Sequence, residues 1–528
     1  MEPVYATHLH IKKSVLFVTL SCQEDLEGRK AYLIRREENP AIKEKKVLSF
    51  QCKNKTRNIL QAKLDLSSVE RGHADWSVML SGGADGESAE ELRPVILGGR
   101  VRMFLILGNY EYKREKEILF PMGSGNHRLI VRCRPLTCYD GTNTRMKEFL
   151  AYGLYRIFRP VWRKKRIWVM FEKYCASAQD NGFVFFRYCM ENPDVKERKR
   201  IFYILDRNSP QWAETEKYRE NIIPFMSFRH IFYMLAASLY VASDSRIHGY
   251  LWQPKPNLIS REINRHKIFF LQHGVLGLKR VEDLFGRNGV CPVTYFTTSS
   301  KLEQDIVVKE FGYAPENAPV VGLARWDVLE NRALAARPKI LIMPTWRSWL
   351  EYLGDEEFCK SEYYRRYTSL IGNQELLSFL RQQGTELIFY IHPKLGKFMK
   401  DFYTDSSLVK LISFGEEPLN RLLMECSMLI TDYSSVCWDV YYLEKPVLFY
   451  QFDSELYNKT NGSYLDMEKE LFGDRCTDEA EIITAIKEYV CGGFVEKKAF
   501  AAMRDRYFAC RDHNNCRRTY EYIVGRNL

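Results

Sequence analysis

The chain has 528 residues, 46% of them hydrophobic and 27% charged, and carries a net charge of +11. That length exceeds one ordinary core and that composition excludes a disordered chain, so two or three globular domains are expected. The positive balance favours an anionic partner, whether nucleic acid, a membrane surface or a polyphosphate substrate, and does not choose among them. The fourteen cysteines lack the C-x2-C spacing of a zinc site and read as reduced and cytosolic. No run reaches the roughly 18 apolar residues of a spanning helix. Acidic Glu2 ahead of a short apolar run does not read as a signal peptide.

From the start to about Pro135, short alternating segments separated by Gly, Ser, Asp and Asn turns predict an all-β, sandwich-like domain. Its strands are expected at 14–20, 46–50, 101–107 and 128–131, with His8 and His10 as plain strand residues. Residues 144–168 then carry eight Arg and Lys among Phe149, Leu150, Tyr152, Leu154, Tyr155, Phe158 and Trp162. A basic helix rich in aromatics fits either an element drawn to anionic lipid or a linker helix with a solvated face.

From Arg166 onward, continuous apolar runs alternate with helix-length spacers. Residues 167–171, 201–205, 239–242, 267–271 and 294–297 form one series, and 339–343, 387–391, 428–430 and 447–450 a second. Runs without alternation predict parallel strands covered on both faces, hence two doubly wound α/β domains with 321–338 as the crossing. The expected division is 1–135 as a β-rich accessory domain, 136–165 as a basic aromatic linker or helix, and Rossmann-like domains at 166–330 and 331–528. Ligands are expected at the carboxyl ends of the strands.

Each chemical candidate falls at such an end. Residues 267–271 run into Gln272-His273-Gly274, residues 387–391 into His392-Pro393-Lys394, and residues 340–343 into Pro344-Thr345-Trp346-Arg347. Histidine is the side chain suited to moving a proton near neutral pH. Gly274 would let a ligand approach the backbone, and Pro393 holds His392 extended. A lone histidine is usually structural; two at strand ends of opposite half-domains favour function. The run ending Thr431-Asp432-Tyr433-Ser434-Ser435 opens a helix, where free N–H groups hold anions, unless Asp432 and Ser434 merely cap it. There is no Walker loop, no G-x-G-x-x-G and no D-x-D pair, which weakens kinase, dehydrogenase and metal-bridged nucleotide-sugar readings.

Taken together, Leu271-Gln272-His273-Gly274, Pro344-Thr345-Trp346-Arg347, Ile391-His392-Pro393-Lys394 and Thr431-Asp432-Tyr433-Ser434-Ser435 resemble the CDP-glycerol glycerophosphotransferase family of teichoic-acid primases and polymerases. Gly322 to Asp327, Phe414 to Leu419 and Lys445 to Tyr450 support the resemblance, which covers about 165–490 and leaves the β-rich part outside. It implies a GT-B pair of Rossmann-like domains with the donor held mainly by the second. It also implies transfer of glycerol phosphate from CDP-glycerol to a membrane-anchored hydroxyl, releasing CMP.

Carried onto this chain, the family pattern makes His273 the general base and His392 the second essential histidine. Gly274, Thr345, Arg347, Lys394, Glu416, Thr431, Asp432, Ser434 and Ser435 become substrate-binding positions. Charge neutralisation is expected from a protonated His392, the Ser434/Ser435 turn, and Lys394 or Arg347, with no metal and no cofactor. The implied partners are CDP-glycerol or CDP-ribitol, a lipid-linked glycan or polyol phosphate acceptor, and an anionic membrane surface; no nucleic acid is expected. The implied location is the cytoplasmic face of the plasma membrane, in teichoic acid or capsule synthesis. A ribitol donor, a nucleotide-sugar glycosyltransferase and a glycan- or lipid-binding module are the alternatives.

Overall fold

The structure is a computed structural model and describes residues 2–36, 46–81, 92–108, 110–250, 257–351, 353–413 and 415–528. Contacts divide it into two compact units, one of residues 1–159, 226–236 and 250–266, the other of 160–225, 237–249 and 267–528.

The first unit is built on β1 (Val4–Lys12), β2 (Val15–Ser21), β3 (Ala31–Arg35), β4 (Val47–Ser49), β5 (Gln51–Thr56), β6 (Ile59–Asp65), β7 (Ala74–Leu80), β8 (Arg93–Leu97), β9 (Tyr112–Arg114), β10 (Glu117–Gly123) and β11 (Leu129–Pro135). They hydrogen-bond in one path, β5-β6-β2-β1-β8-β7-β11-β10-β9, with β3 joining β7 to β4. One core draws side chains from along that path, among them Leu16, Leu60, Trp76, Val95 and Leu119. Residues 101–107, expected as a strand, are instead part of a helix, Gly99–Leu107. The run from Met103 to Leu107 has no polar alternation. Val101 and Leu105, four apart, face the core and leave Met103, Phe104 and Leu107 exposed.

The basic segment forms the Thr142–Lys164 helix. Its buried positions are Thr144, Glu148, Ala151 and Tyr155. Glu148 accepts from the Tyr250 hydroxyl at 2.6 Å, and Glu262 accepts from Tyr155 at 3.0 Å and from Arg159 at 2.7 Å. The apolar stripe of the same helix, Met146, Phe149, Leu150, Leu154, Ile157, Phe158 and Val161, is exposed. The helix is thus anchored by its polar side and shows its greasy one.

The second unit holds two six-stranded sheets. The first comprises β12 (Trp168–Phe171), β13 (Ile201–Leu205), β14 (Ile222–Pro224), β15 (Leu239–Ala242), β16 (Lys267–Phe270) and β17 (Tyr295–Phe296). The second comprises β18 (Lys339–Ile342), β19 (Glu386–Tyr390), β20 (Val409–Ile412), β21 (Met428–Thr431), β22 (Val447–Tyr450) and β23 (Asp474–Cys476). The strand orders are β14-β13-β12-β15-β16-β17 and β20-β19-β18-β21-β22-β23, and the paired strands in both sheets run parallel. Each is the doubly wound 3-2-1-4-5-6 order, with a crevice where the order reverses. Both sheets thus have the Rossmann-like architecture expected.

The second sheet's core also takes in Val275, Leu278, Leu323, Trp326 and Leu329 from the chain before it. The closing helix, Asn515–Gly525, was expected with residues 331–528 but packs on the first sheet. Tyr522 meets Phe269 at 5.9 Å, Tyr520 meets Trp168 at 6.4 Å, and Cys516 and Ile523 join that sheet's core. Among the described residues no helix is long and apolar enough to cross a membrane.

Candidate active site

The floor of the site is polar and closed. After β18 and β21, the Thr431 hydroxyl donates to Met343 O at 2.7 Å. Asp432, fully buried, accepts from Thr345 N at 2.8 Å and from the Tyr367 hydroxyl at 3.2 Å. It also pairs with Arg347 at 2.8 Å. Arg347 is 0% exposed and is further held by both oxygens of Asp453, at 2.7 and 3.0 Å, and by Thr345 O at 2.9 Å. A guanidinium held by two carboxylates has no charge left over for a substrate. The structure therefore turns Arg347, Thr431 and Asp432 from expected substrate ligands into the scaffold beneath the site.

Over that floor lies a cavity of about 230 Å³, to which the first fold brings His273, Gly274 and Lys279 and the second Thr345, Trp346, His392, Ser434 and Ser435. Ser435, the residue before the Val436–Tyr442 helix, makes no side-chain capping hydrogen bond, so capping does not account for its hydroxyl. Glu416 sits exposed in a turn and does not line the cavity.

His273 is carried on a strained and heavily braced turn. Gln272 adopts φ +60°, uncommon for a residue with a side chain. Its amide reaches Thr297 O and Glu303, the latter at 3.1 Å. Glu303 also accepts from Leu276 N at 2.7 Å and Ser299 N at 2.6 Å. The next two carbonyls are clamped in succession: Asn181 Nδ2 donates to Gln272 O at 3.0 Å and Arg325 Nη1 to His273 O at 2.9 Å. Arg325 continues across to the second fold, binding both oxygens of Asp439 at 2.9 Å. The imidazole itself is exposed, against the rings of Phe270 and Phe285.

A Cβ at Gly274 would collide with the Ser435 side chain. The glycine thus admits Ser435 to its backbone, where a ligand had been expected. The two chemical segments touch at this point because nothing larger than hydrogen fits.

His392 follows the second strand of its sheet and His273 the fifth of its own, so the two positions are not equivalent. The His392 pKa is pushed down to about 4, first by burial and then by Lys173, Lys394 and Lys279. Its Nδ1 accepts from Lys394 N at 3.2 Å, which leaves the proton of the neutral ring on Nε2. The cationic His392 expected from the sequence is therefore replaced by a neutral hydrogen-bond donor. Burial of a neutral ring also has a stability signature. Between pH 6.5 and about 4 the unfolded chain holds a proton here that the folded chain lacks. Wild type should lose ~2–3 kcal/mol relative to His392→Gln as pH falls through that window, then level off. Parallel urea titrations of the two proteins from pH 7 to 4 measure it, and parallel stability curves would refute it.

Lys394 is paired with Glu351 at 3.0 Å and lies 3.8 Å from the Trp346 ring centre. Lys279 lies 5.0 Å from the same centre. The sequence reading missed Lys279, Trp346, Arg325 and Asp439. Its one signal for Lys279 was position, six residues beyond His273 in the same turn.

The family described as CDP-glycerol:poly(glycerophosphate) glycerophosphotransferase matches residues 154–525. The minor teichoic acid biosynthesis protein GgaB of Bacillus subtilis (strain 168) is 25% identical over 437 residues, 78% of this chain and 46% of its own length. The teichoic acid poly(ribitol-phosphate) polymerase of Bacillus spizizenii (strain ATCC 23059 / NRRL B-14472 / W23) is 28% identical over 199 residues, 34% of this chain and 29% of its own. The match thus spans less than half the length of either curated relative. Among solved structures, the wall teichoic acid polymerase TagF superposes with a TM-score of 0.51 at 16% identity, covering 73% of this chain and 98% of that one. The likeness to TagF is one of fold.

Proposed function

The chain belongs to the CDP-glycerol:poly(glycerophosphate) glycerophosphotransferase family, and on that basis we propose that it transfers glycerol phosphate from CDP-glycerol to a hydroxyl of a membrane-associated acceptor, in teichoic acid or related phosphopolyol synthesis. The observation that carries this reading is the cavity itself. An exposed histidine on a braced turn, two serines and Lys279 line one cavity, and Lys173 and Lys394 act with Lys279 on the His392 that also lines it. In the reaction, the acceptor oxygen attacks the phosphorus that bears glycerol while His273 takes the hydroxyl proton. The bond from that phosphorus to the bridging oxygen breaks, and CMP leaves with the electron pair. Ser434, Ser435, Thr345 and the Nε2–H of His392 donate to phosphoryl oxygens, and the lysines balance their charge.

Ribitol phosphate is the second reading, favoured by the ribitol-phosphate polymerase among the relatives. Release of CMP from CDP-glycerol and CDP-ribitol, and of UDP from UDP-glucose, each with a glycerol-phosphate-primed acceptor, tests both. Turnover of one CDP-polyol supports the reading, and turnover of UDP-glucose alone overturns it in favour of a sugar transferase.

The exposed stripe of the Thr142–Lys164 helix supports the membrane-associated acceptor. Apolar residues at three- and four-residue spacing point outward, with Arg145, Arg156, Arg163 and Lys164 on the same helix. Such a face suits the boundary of an anionic bilayer. Phe149→Glu combined with Ile157→Glu should lower co-sedimentation with phosphatidylglycerol-rich vesicles at least about tenfold, since each apolar side chain contributes ~1.5–3 kcal/mol when buried. Unchanged sedimentation would remove lipid as the occupant of this face.

A further inference from the structure

We propose that Lys279, seated on Trp346 at the wall of the cavity, forms a subsite for the distal phosphate of a cytidine diphosphate donor, the phosphate that is transferred. The inference rests on the donor reading above and adds a residue to it.

Four observations converge. First, Lys279 lines the cavity together with His273 and Thr345. Second, its charge is spare. Its neighbour Arg280 is met by Glu282 at 2.7 Å and Glu310 at 2.6 Å, and Lys394 by Glu351. Lys279 has no carboxylate partner among the described residues, only the face of Trp346 at 5.0 Å. Third, the wall beside it holds two polar atoms that are buried and unpartnered, Thr345 Oγ1 and Trp346 Nε1. Fourth, the turn is fixed in advance. Gly277 O accepts from Tyr464 N at 2.8 Å and from the Ser463 hydroxyl at 2.9 Å, and Leu278 is built into the second fold's core.

An ammonium half withdrawn from water with no counter-charge is unfavourable unless a ligand supplies one. Burial and the charge of Lys394 both push its pKa down, as they would for a cation awaiting an anion. A phosphate in the cavity would accept from the ammonium and supply the missing counter-charge. The subsite belongs to the transferred phosphate because Lys279 shares a turn with His273, which takes the proton of the hydroxyl that attacks that phosphorus. The serines on the opposite fold are left for the phosphate that departs with cytidine.

Isothermal titration with CDP and CMP, in buffer without divalent cations, separates the two phosphates. Lys279→Met keeps the stem on Trp346 and removes the charge. It should weaken CDP about 10–100-fold, the range of one charge-assisted hydrogen bond, and leave CMP within about threefold. Lys279→Arg should retain CDP affinity to within about tenfold, and thermal melts of both variants should match wild type. If wild type binds CDP and Lys279→Met binds it equally well, the subsite is wrong and the donor reading stands. Equal losses for CDP and CMP overturn the assignment to the distal phosphate. A wild type that binds neither nucleotide overturns the donor reading and this inference with it.

Discussion

His273→Ala is expected to reduce glycerol phosphate transfer by about 10²–10⁴-fold, the contribution of a positioned general base, with CDP-glycerol affinity within about threefold of wild type. The separation follows from how the turn is held. The Gln272 and His273 carbonyls are bound by Asn181 and Arg325, and Gln272 by Glu303, so no brace involves the imidazole. Truncating an exposed ring from a turn held by its backbone leaves the cavity shape intact. CMP release and titration calorimetry on the same preparation measure the two effects. Turnover within threefold of wild type would take the base role away from His273. A parallel collapse of donor affinity would make it a binding residue.

Arg325→Met should destabilise the second unit by about 3–5 kcal/mol, because it strands a buried carboxylate. Asp439 is 2% exposed and is met by both arms of Arg325 and by Trp326 Nε1 at 2.8 Å. Arg325→Lys should cost nearly as much, since one ammonium cannot span Asp439, Asp180 and His273 O at once. Removing both partners in Arg325→Met/Asp439→Leu should recover part of the loss, as apolar replacements of buried pairs often do. Urea denaturation of wild type, Arg325→Met, Asp439→Leu and the double variant gives the cycle. Strict additivity would mean that the pair is not coupled. Because Arg325 also holds the His273 carbonyl, residual folded Arg325→Lys should show a lower kcat with an unchanged KM for donor, which a purely structural loss does not produce.

Much of the architecture is legible in the chain because strands covered on both faces must be apolar throughout. The runs at 201–205, 239–242 and 447–450 coincide with β13, β15 and β22. Short edge strands such as β14, β20 and β23 have no such run and escaped the reading. The helix Gly99–Leu107 was read as a strand because a brief apolar stretch carries no period of its own. The two histidines, Ser434 and Ser435 were legible as candidates because each lies within a few residues of the end of an apolar run, and strand ends are where a parallel sheet opens.

What each polar residue does was decided by partners far away along the chain. Arg347 and Lys279 are both cations a few residues past a strand end. Arg347 is spent on Asp453, 106 residues on, whereas Lys279 meets an indole face and, among the described residues, no carboxylate. Gly274 looked like a place for a ligand until Ser435 was seen to fill it. His392 looked cationic until three lysines and its own burial made it neutral. Hydrophobic period is a local property, so the chain alone determines strands and their ends. Charge compensation and desolvation depend on distances in space, and only the tertiary structure decides them.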